Sequence, residues 1–265
     1  MKRNFSTEFV FQVFSLIIAV IIVHAVYVTV IRPAAAAVAE EQRLMMEQDP
    51  DYVPERRLVV IVKDFEQEAC FILLFWACGI MGYKAWQLTK ERQLLERELL
   101  PVADGVRILP EDTREYARQL EALPPAERRL LLPRALSSAL QRFGATGNVQ
   151  DVSSSVHTLL STEADRLESE LSMVRYIAWA IPSIGFIGTV RGIGAALGLA
   201  HRAVEGDISG VTASLGIAFN STFIALLISI VLMFLVHQLQ LLQERLVFET
   251  ENYLDEYLIR HLKAG

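Results

Sequence analysis

Cysteine and clustered positive charge are both scarce in this chain of 265 residues, and each shortage removes a class of function. The two cysteines, Cys70 and Cys78, lie together in an apolar run, where they read as small packing residues rather than a disulfide framework or a metal site. The five histidines are scattered, and no Ser/His/Asp set, metal-ligand spacing or phosphate loop occurs. Neither an enzyme nor a cofactor site is expected. Lys and Arg number 25 against 31 Asp and Glu, a net charge of −6, and no basic run offers the clustered cations that displace counterions from nucleic acid. Nucleic-acid binding is therefore not expected. Charged residues make up only 21% of the chain and hydrophobic residues 52%, too little charge to cover a water-facing surface. That balance suits a protein solvated by membrane lipid.

A helix crossing ~30 Å of hydrocarbon at ~1.5 Å per residue needs about 20 apolar residues. Four stretches meet or approach that length. Residues 9–31 contain no Asp, Glu, Lys or Arg and are too long for a signal peptide, so they read as a retained span. Residues 69–83 are short and bounded by Glu68 and Lys84, whose heads can snorkel, with Trp86 at the interface. Residues 176–200 are broken only by Arg191, and 211–236 lie in an interval, 208–243, with no charged residue at all. The expected fold is all-α: a polytopic membrane protein with four transmembrane helices and both termini on one side.

The flanking cations set the side. Lys2, Arg3, Lys84, Lys90, Arg92, Arg166, Arg175 and Arg245 outnumber Arg32, Arg43, Arg56, Arg57, Lys63 and Arg202, which favours cytoplasmic termini. Residues 1–31 then hold the N-terminus and first span, 32–68 an extracytoplasmic loop opening with a helical alanine run, and 201–210 a second, short outer loop. Residues 84–175 form a cytoplasmic helical region with breaks at Pro101, Pro124–Pro125 and 144–147, and 237–265 form a cytoplasmic helical tail. Val149, Val152, Val156, Leu159, Glu163, Leu167, Leu171 and Val174 recur at steps of three and four into the third span. Leu239, Leu242, Leu246, Tyr253 and Leu258 continue the fourth span in the same way. Each span is thus expected to extend into one helix of roughly 50 residues, about 75 Å long.

The third span is rich in glycine, which is costly in a water-soluble helix but useful in lipid, where association depends on close backbone approach. Gly188 with Gly192, and Gly194 with Gly198, form two small-xxx-small pairs suited to helix packing. At 100° per residue, Pro182, Gly185, Thr189, Ile193 and Ala196 share one face of this helix. Val211, Leu215, Ala218, Thr222, Leu226, Ser229 and Met233 share one face of the fourth. Thr189 lies 13 residues past Tyr176 and Thr222 lies 14 before Val236, so both hydroxyls sit about 20 Å from the cytoplasmic boundary and can occupy one level of a pore. The alternative is that each threonine bonds back to a carbonyl of its own helix.

The run Pro182-Ser183-Ile184-Gly185-Phe186-Ile187-Gly188-Thr189-Val190-Arg191-Gly192, with the later stretch from Asp207 through Thr222, resembles the signature of the MotA/TolQ/ExbB proton-channel family. The resemblance covers roughly residues 148–260; two spans before a large cytoplasmic region resemble the MotA layout, while the core motif is closer to TolQ and ExbB. It implies a homopentamer in a bacterial inner membrane. The third- and fourth-type helices would line a pore around two copies of a single-span MotB/TolR/ExbD-like protein carrying an intramembrane Asp. Ion flow down the proton-motive force would then turn one ring against the other, as in a rotary motor and its stator. By residue match Thr189 and Thr222 take the positions of the pore-facing threonines, with Pro182, Gly185, Ile193, Ala218 and Ser229 on the pore face. The runner-up reading is a membrane scaffold or sensor recruiting cytoplasmic proteins through its long helices.

Two departures stand out. Where the TolQ and ExbB branch has a glutamate five residues before the fourth-helix threonine, this chain has Ile217, and where that branch has an apolar or aromatic residue it has Arg191. Arg191 lies about 200° around the helix from Thr189 and is expected to point away from the pore toward the first two spans, reaching Glu68 or an outer carbonyl. The third and fourth spans carry no Asp or Glu, and Glu8 and Glu68 sit only at the edges of the first two. His24 reads as a hydrogen-bonded packing residue, so the titrating carboxylate is expected on a partner.

Overall fold

The structure, a computed structural model, describes residues 7–49, 52, 55, 57–101 and 106–263. Lys2, Arg3 and Arg56, counted above for orientation, lie outside the described residues, as does the side chain of Glu8. The chain is all-α and divides into two compact units, Met1–Met81 with Met173–Val236, and Gly82–Ser172 with His237–Gly265. Four helical stretches are long and apolar enough to cross a membrane: Phe9–Gln48, Phe65–Leu95, Val149–Gly198 and Ser209–His261.

In the first unit, α1 (Thr7–Val26) passes through one wide π-helical turn, Tyr27–Ile31, directly into α2 (Arg32–Gln48). Pro33 accounts for that turn. A proline lacks the amide that would bond back and its ring crowds the carbonyl four residues earlier, so a locally widened turn relieves both within an unbroken helix. A single turn, α3 (Leu58–Ile61), precedes α4 (Phe65–Leu95), which starts four residues before the apolar run and carries Glu66 and Glu68 in its first turn, where the helix dipole favours acids. Gly79 lets α1 and α4 approach so closely that a methyl there would meet Ser15 Oγ at 2.7 Å, and Trp76 Nε1 donates to Gln12 O at 2.9 Å. α8 (Ser172–Gly198), the short α9 (Ala200–Val204) and the first half of α10 (Ser209–Tyr257) complete the unit. Large apolar side chains such as Phe14, Ile21, Phe186, Val190, Phe223 and Ile230 remain exposed, as befits a unit whose solvent is hydrocarbon.

The second unit packs the distal segments of α4 and α10 with α5 (Thr113–Glu121), α6 (Leu131–Thr146) and α7 (Val149–Glu170). Its core is leucine-rich: Leu88, Leu132, Leu136, Leu140, Leu160 and Leu254 are all buried, as is Phe143. Gly147, at φ +60°, closes α6 in the left-handed conformation that glycine adopts without strain, and the Asn148 side chain caps α7 by accepting from the Gln150 amide. Lys84 is almost fully buried and pairs with Glu170 at 2.6 Å. Glu163 is held by Arg134 at 2.7 Å and by Arg166. The unbroken 50-residue helix expected through the third span has one interruption: at Leu171 the backbone tightens to a three-residue bond, Leu171 N to Glu168 O, between α7 and α8. Periodicity alone could not show it, because Leu171 is itself an apolar core residue that fits the helical stripe.

Candidate ion pathway

α8 and α10 lie in direct backbone-level contact, and three glycines make it possible. A methyl on Gly185 would fall 2.5 Å from Ala225 Cβ, on Gly188 2.5 Å from Ser221 Cβ, and on Gly192 2.7 Å from the Ala218 amide nitrogen and 2.8 Å from the Ser214 carbonyl. No real side chain fits there, so the row 185, 188, 192 is the packing seam. Gly194 and Gly198, with the same four-residue spacing, meet no atom within 4 Å. Within the chain the second small-residue pair is therefore not a contact, and Gly185, expected on the pore face, takes its place. Ala218 is likewise fully buried in the seam rather than on a free face.

At the centre of the seam the two threonines touch. Thr189 Oγ1 and Thr222 Oγ1 are hydrogen-bonded to each other; Thr189 Oγ1 is also 3.0 Å from the Ala218 carbonyl and 3.3 Å from that of Gly185, and Thr222 Oγ1 is 3.0 Å from the Gly185 carbonyl. Two hydroxyl protons thus share more acceptors than they can satisfy at once, so each hydroxyl can rotate among partners without losing a bond. The back-bond of Thr189 to its own helix and the bonds across the seam both exist here. Two turns toward Pro182, a second cross-helix bond forms: Pro182 has no amide to give the Ala178 carbonyl, and Ser229 Oγ supplies the missing donor at 3.2 Å. Pro182, Thr189, Thr222 and Ser229 are all half-buried, and Ile193 is exposed.

Arg191 points toward α4, away from the threonines, but its partner is Glu66 rather than Glu68. Nε lies 2.7 Å from Glu66 Oε1 and Nη2 2.8 Å from Oε2, a two-point guanidinium–carboxylate pair. Glu68 is already occupied by Arg32 and by His24, whose Nδ1 is 2.6 Å from Glu68 Oε1. Hydropathy placed Glu66 in a loop; the signal that could have found it is the acid pair one turn before an apolar run, a favourable helix start. Beside these pairs Asp64 Oδ2 and the Tyr27 hydroxyl are buried without a partner, and burial pushes the Asp64 carboxyl up from its ordinary value. In the short link between α9 and α10, Asp207 caps α10, accepting from the Ser209 hydroxyl at 2.5 Å and amide at 3.1 Å, bonds that hold its carboxyl below the ordinary range. Cys70 is buried with Sγ turned to the Ile181 carbonyl, and among the described residues no three His, Cys, Asp or Glu side chains could hold a metal ion.

A family model of the MotA/TolQ/ExbB proton channel family matches residues 128–252, the segment that carries α7, α8 and most of α10 and therefore the whole threonine layer. This segment is therefore similar to the MotA/TolQ/ExbB proton channel family. It is a channel family rather than an enzymatic one, and with four membrane-length helices the chain is a multi-pass membrane protein. No curated protein and no solved structure matches the chain. The match begins after α4, so Glu66, Glu68, His24 and Arg32 lie outside the matched segment.

Proposed function

We propose that the chain is the ion-channel and stator subunit of a rotary machine driven by the proton-motive force. Five copies enclose two copies of a single-span MotB/TolR/ExbD-like protein in a bacterial inner membrane, with both termini cytoplasmic. The observation that carries this reading is the Thr189–Thr222 layer at a seam whose two helices carry no Asp or Glu through their apolar spans. Rotatable hydroxyls can hand an ion along, but a threonine does not take up or release a proton near neutral pH, and Arg191 stays charged. A carboxylate must therefore come from outside the chain. An Asp on a helix held inside the ring would have its pKa raised toward neutrality by desolvation, and the hydroxyls can approach it as it loads and unloads. Five-fold and two-fold elements cannot match symmetrically, so each proton transfer leaves the next carboxylate misaligned and favours a step of rotation. The test is stoichiometry: co-expressed with a single-span protein of this kind, the chain should purify as five copies with two, read by native mass. A monomer, or a complex of another ratio, would overturn the arrangement.

A further inference from the structure

We infer that Glu66 is a positioning residue for the ion path: by masking Arg191 it keeps the threonine layer electrically neutral and so open to cations. This rests on the channel reading above. Glu66 is only 9% exposed, and both of its oxygens are taken by the Arg191 guanidinium. Its stem runs along α8 beside the layer itself. A methyl on Gly188 would lie 3.1 Å from Glu66 Cγ and 2.6 Å from Ser221 Oγ, and Gly188 and Ser221 immediately precede Thr189 and Thr222 in the chain. The charge of Arg191 can be cancelled from nowhere else so directly. α8 and α10 carry no acid in their apolar spans, and Glu68 is occupied by Arg32 and His24. Asp64 lies within electrostatic reach of Arg191 but shares its field with Lys63 and Arg32.

Without Glu66, Arg191 would stand two residues from Thr189 as an uncompensated cation on the far side of the same helix. A unit charge about 10 Å away, a helix diameter, at an effective dielectric of ~20 lowers cation occupancy at the layer roughly tenfold. Paired two-point to a carboxylate it presents a small local dipole instead, whose field at the layer largely cancels. The guanidinium is fixed facing α4, so the same contact that neutralises it also prevents its long side chain from swinging toward the threonines.

The pair of single substitutions separates this from a plain structural salt bridge, which would suffer alike from loss of either partner. In vesicles holding the chain with its single-span partner, Glu66→Gln should cut proton uptake roughly tenfold and shift the reversal potential toward anions, at unchanged stoichiometry. Arg191→Gln should leave cation flux undiminished, and Glu66→Gln with Arg191→Gln should return uptake to about the wild-type level. Wild-type uptake and selectivity in Glu66→Gln would overturn the inference. So would an equal fall in Arg191→Gln, or a neutral double variant as impaired as Glu66→Gln. Should Glu66→Gln fail to assemble, the Arg191→Gln and double-variant fluxes decide. A wild-type complex that conducts nothing overturns the channel reading, and this inference with it.

Discussion

Gly192 and Gly194 are two residues apart on one helix, yet replacement by alanine should move stability in opposite directions. At Gly192 the added methyl would sit 2.7 Å from Ala218 Cβ and from the Ala218 backbone nitrogen, and 2.8 Å from the Ser214 carbonyl. Carbon contacts are comfortable at about 3.5–4.0 Å, so α8 and α10 must part by roughly 1 Å, and backbone cannot yield as a flexible side chain would. Overpacking of this kind costs about 1–3 kcal/mol. Parting the helices also stretches the Thr189 bond to the Ala218 carbonyl, where membrane hydrogen bonds are worth ~0.6 kcal/mol each. Against this stands a helix-propensity gain of about 1 kcal/mol from removing glycine. The net for Gly192→Ala is a loss of about 0.6–2.6 kcal/mol, from these same sources. Gly194→Ala has nothing within 4 Å to meet and keeps only the gain of up to about 1 kcal/mol. Equilibrium unfolding of the full chain in detergent, followed by helix content against added denaturing surfactant, reads the difference. Gly192→Ala as stable as Gly194→Ala would refute the seam.

Other expectations follow from the same geometry. Thr222→Val keeps the volume but removes a donor to the Gly185 carbonyl, so it should cost stability by only ~0.6–1.7 kcal/mol while lowering ion flux at unchanged assembly; wild-type flux in both Thr189→Val and Thr222→Val would remove the hydroxyls from the pathway. Lys84→Met leaves the Glu170 carboxylate with Arg166 alone, at 3.4 Å, and should destabilise the second unit by about 3 kcal/mol, measured by urea unfolding, whereas Lys84→Met with Glu170→Leu should recover most of it. Because its folded carboxyl sits below the ordinary range, Asp207 contributes its cap fully above that range and loses it as pH falls through the lowered value. The protection factors of the amides at 210–213, taken against the intrinsic exchange rate at each pH, should therefore fall in acid in the wild-type chain and be insensitive to pH in Asp207→Asn.

The sequence was legible where one helix could be read by itself and opaque where two had to be placed together. Charge-free runs marked the spans, and the angular offset from Thr189 sent Arg191 toward α4, because both depend only on the order of residues along one chain segment. The shared depth of Thr189 and Thr222 could be counted; that their oxygens touch across the seam, with Gly185 and Ala218 as acceptors, required the crossing of α8 and α10. Gly188–Gly192 and Gly194–Gly198 are identical as spacings and differ only because α10 closes on the first pair. Glu66 was hidden because hydropathy marks the apolar run, whereas α4 begins at Phe65, four residues earlier.

Proton uptake into vesicles tests most directly whether the threonine layer conducts only with a borrowed carboxylate. Uptake driven by an imposed potential should appear when the chain is reconstituted with the proposed single-span partner and vanish when that partner's proposed intramembrane Asp becomes Asn. Robust proton conductance by this chain reconstituted alone would contradict it.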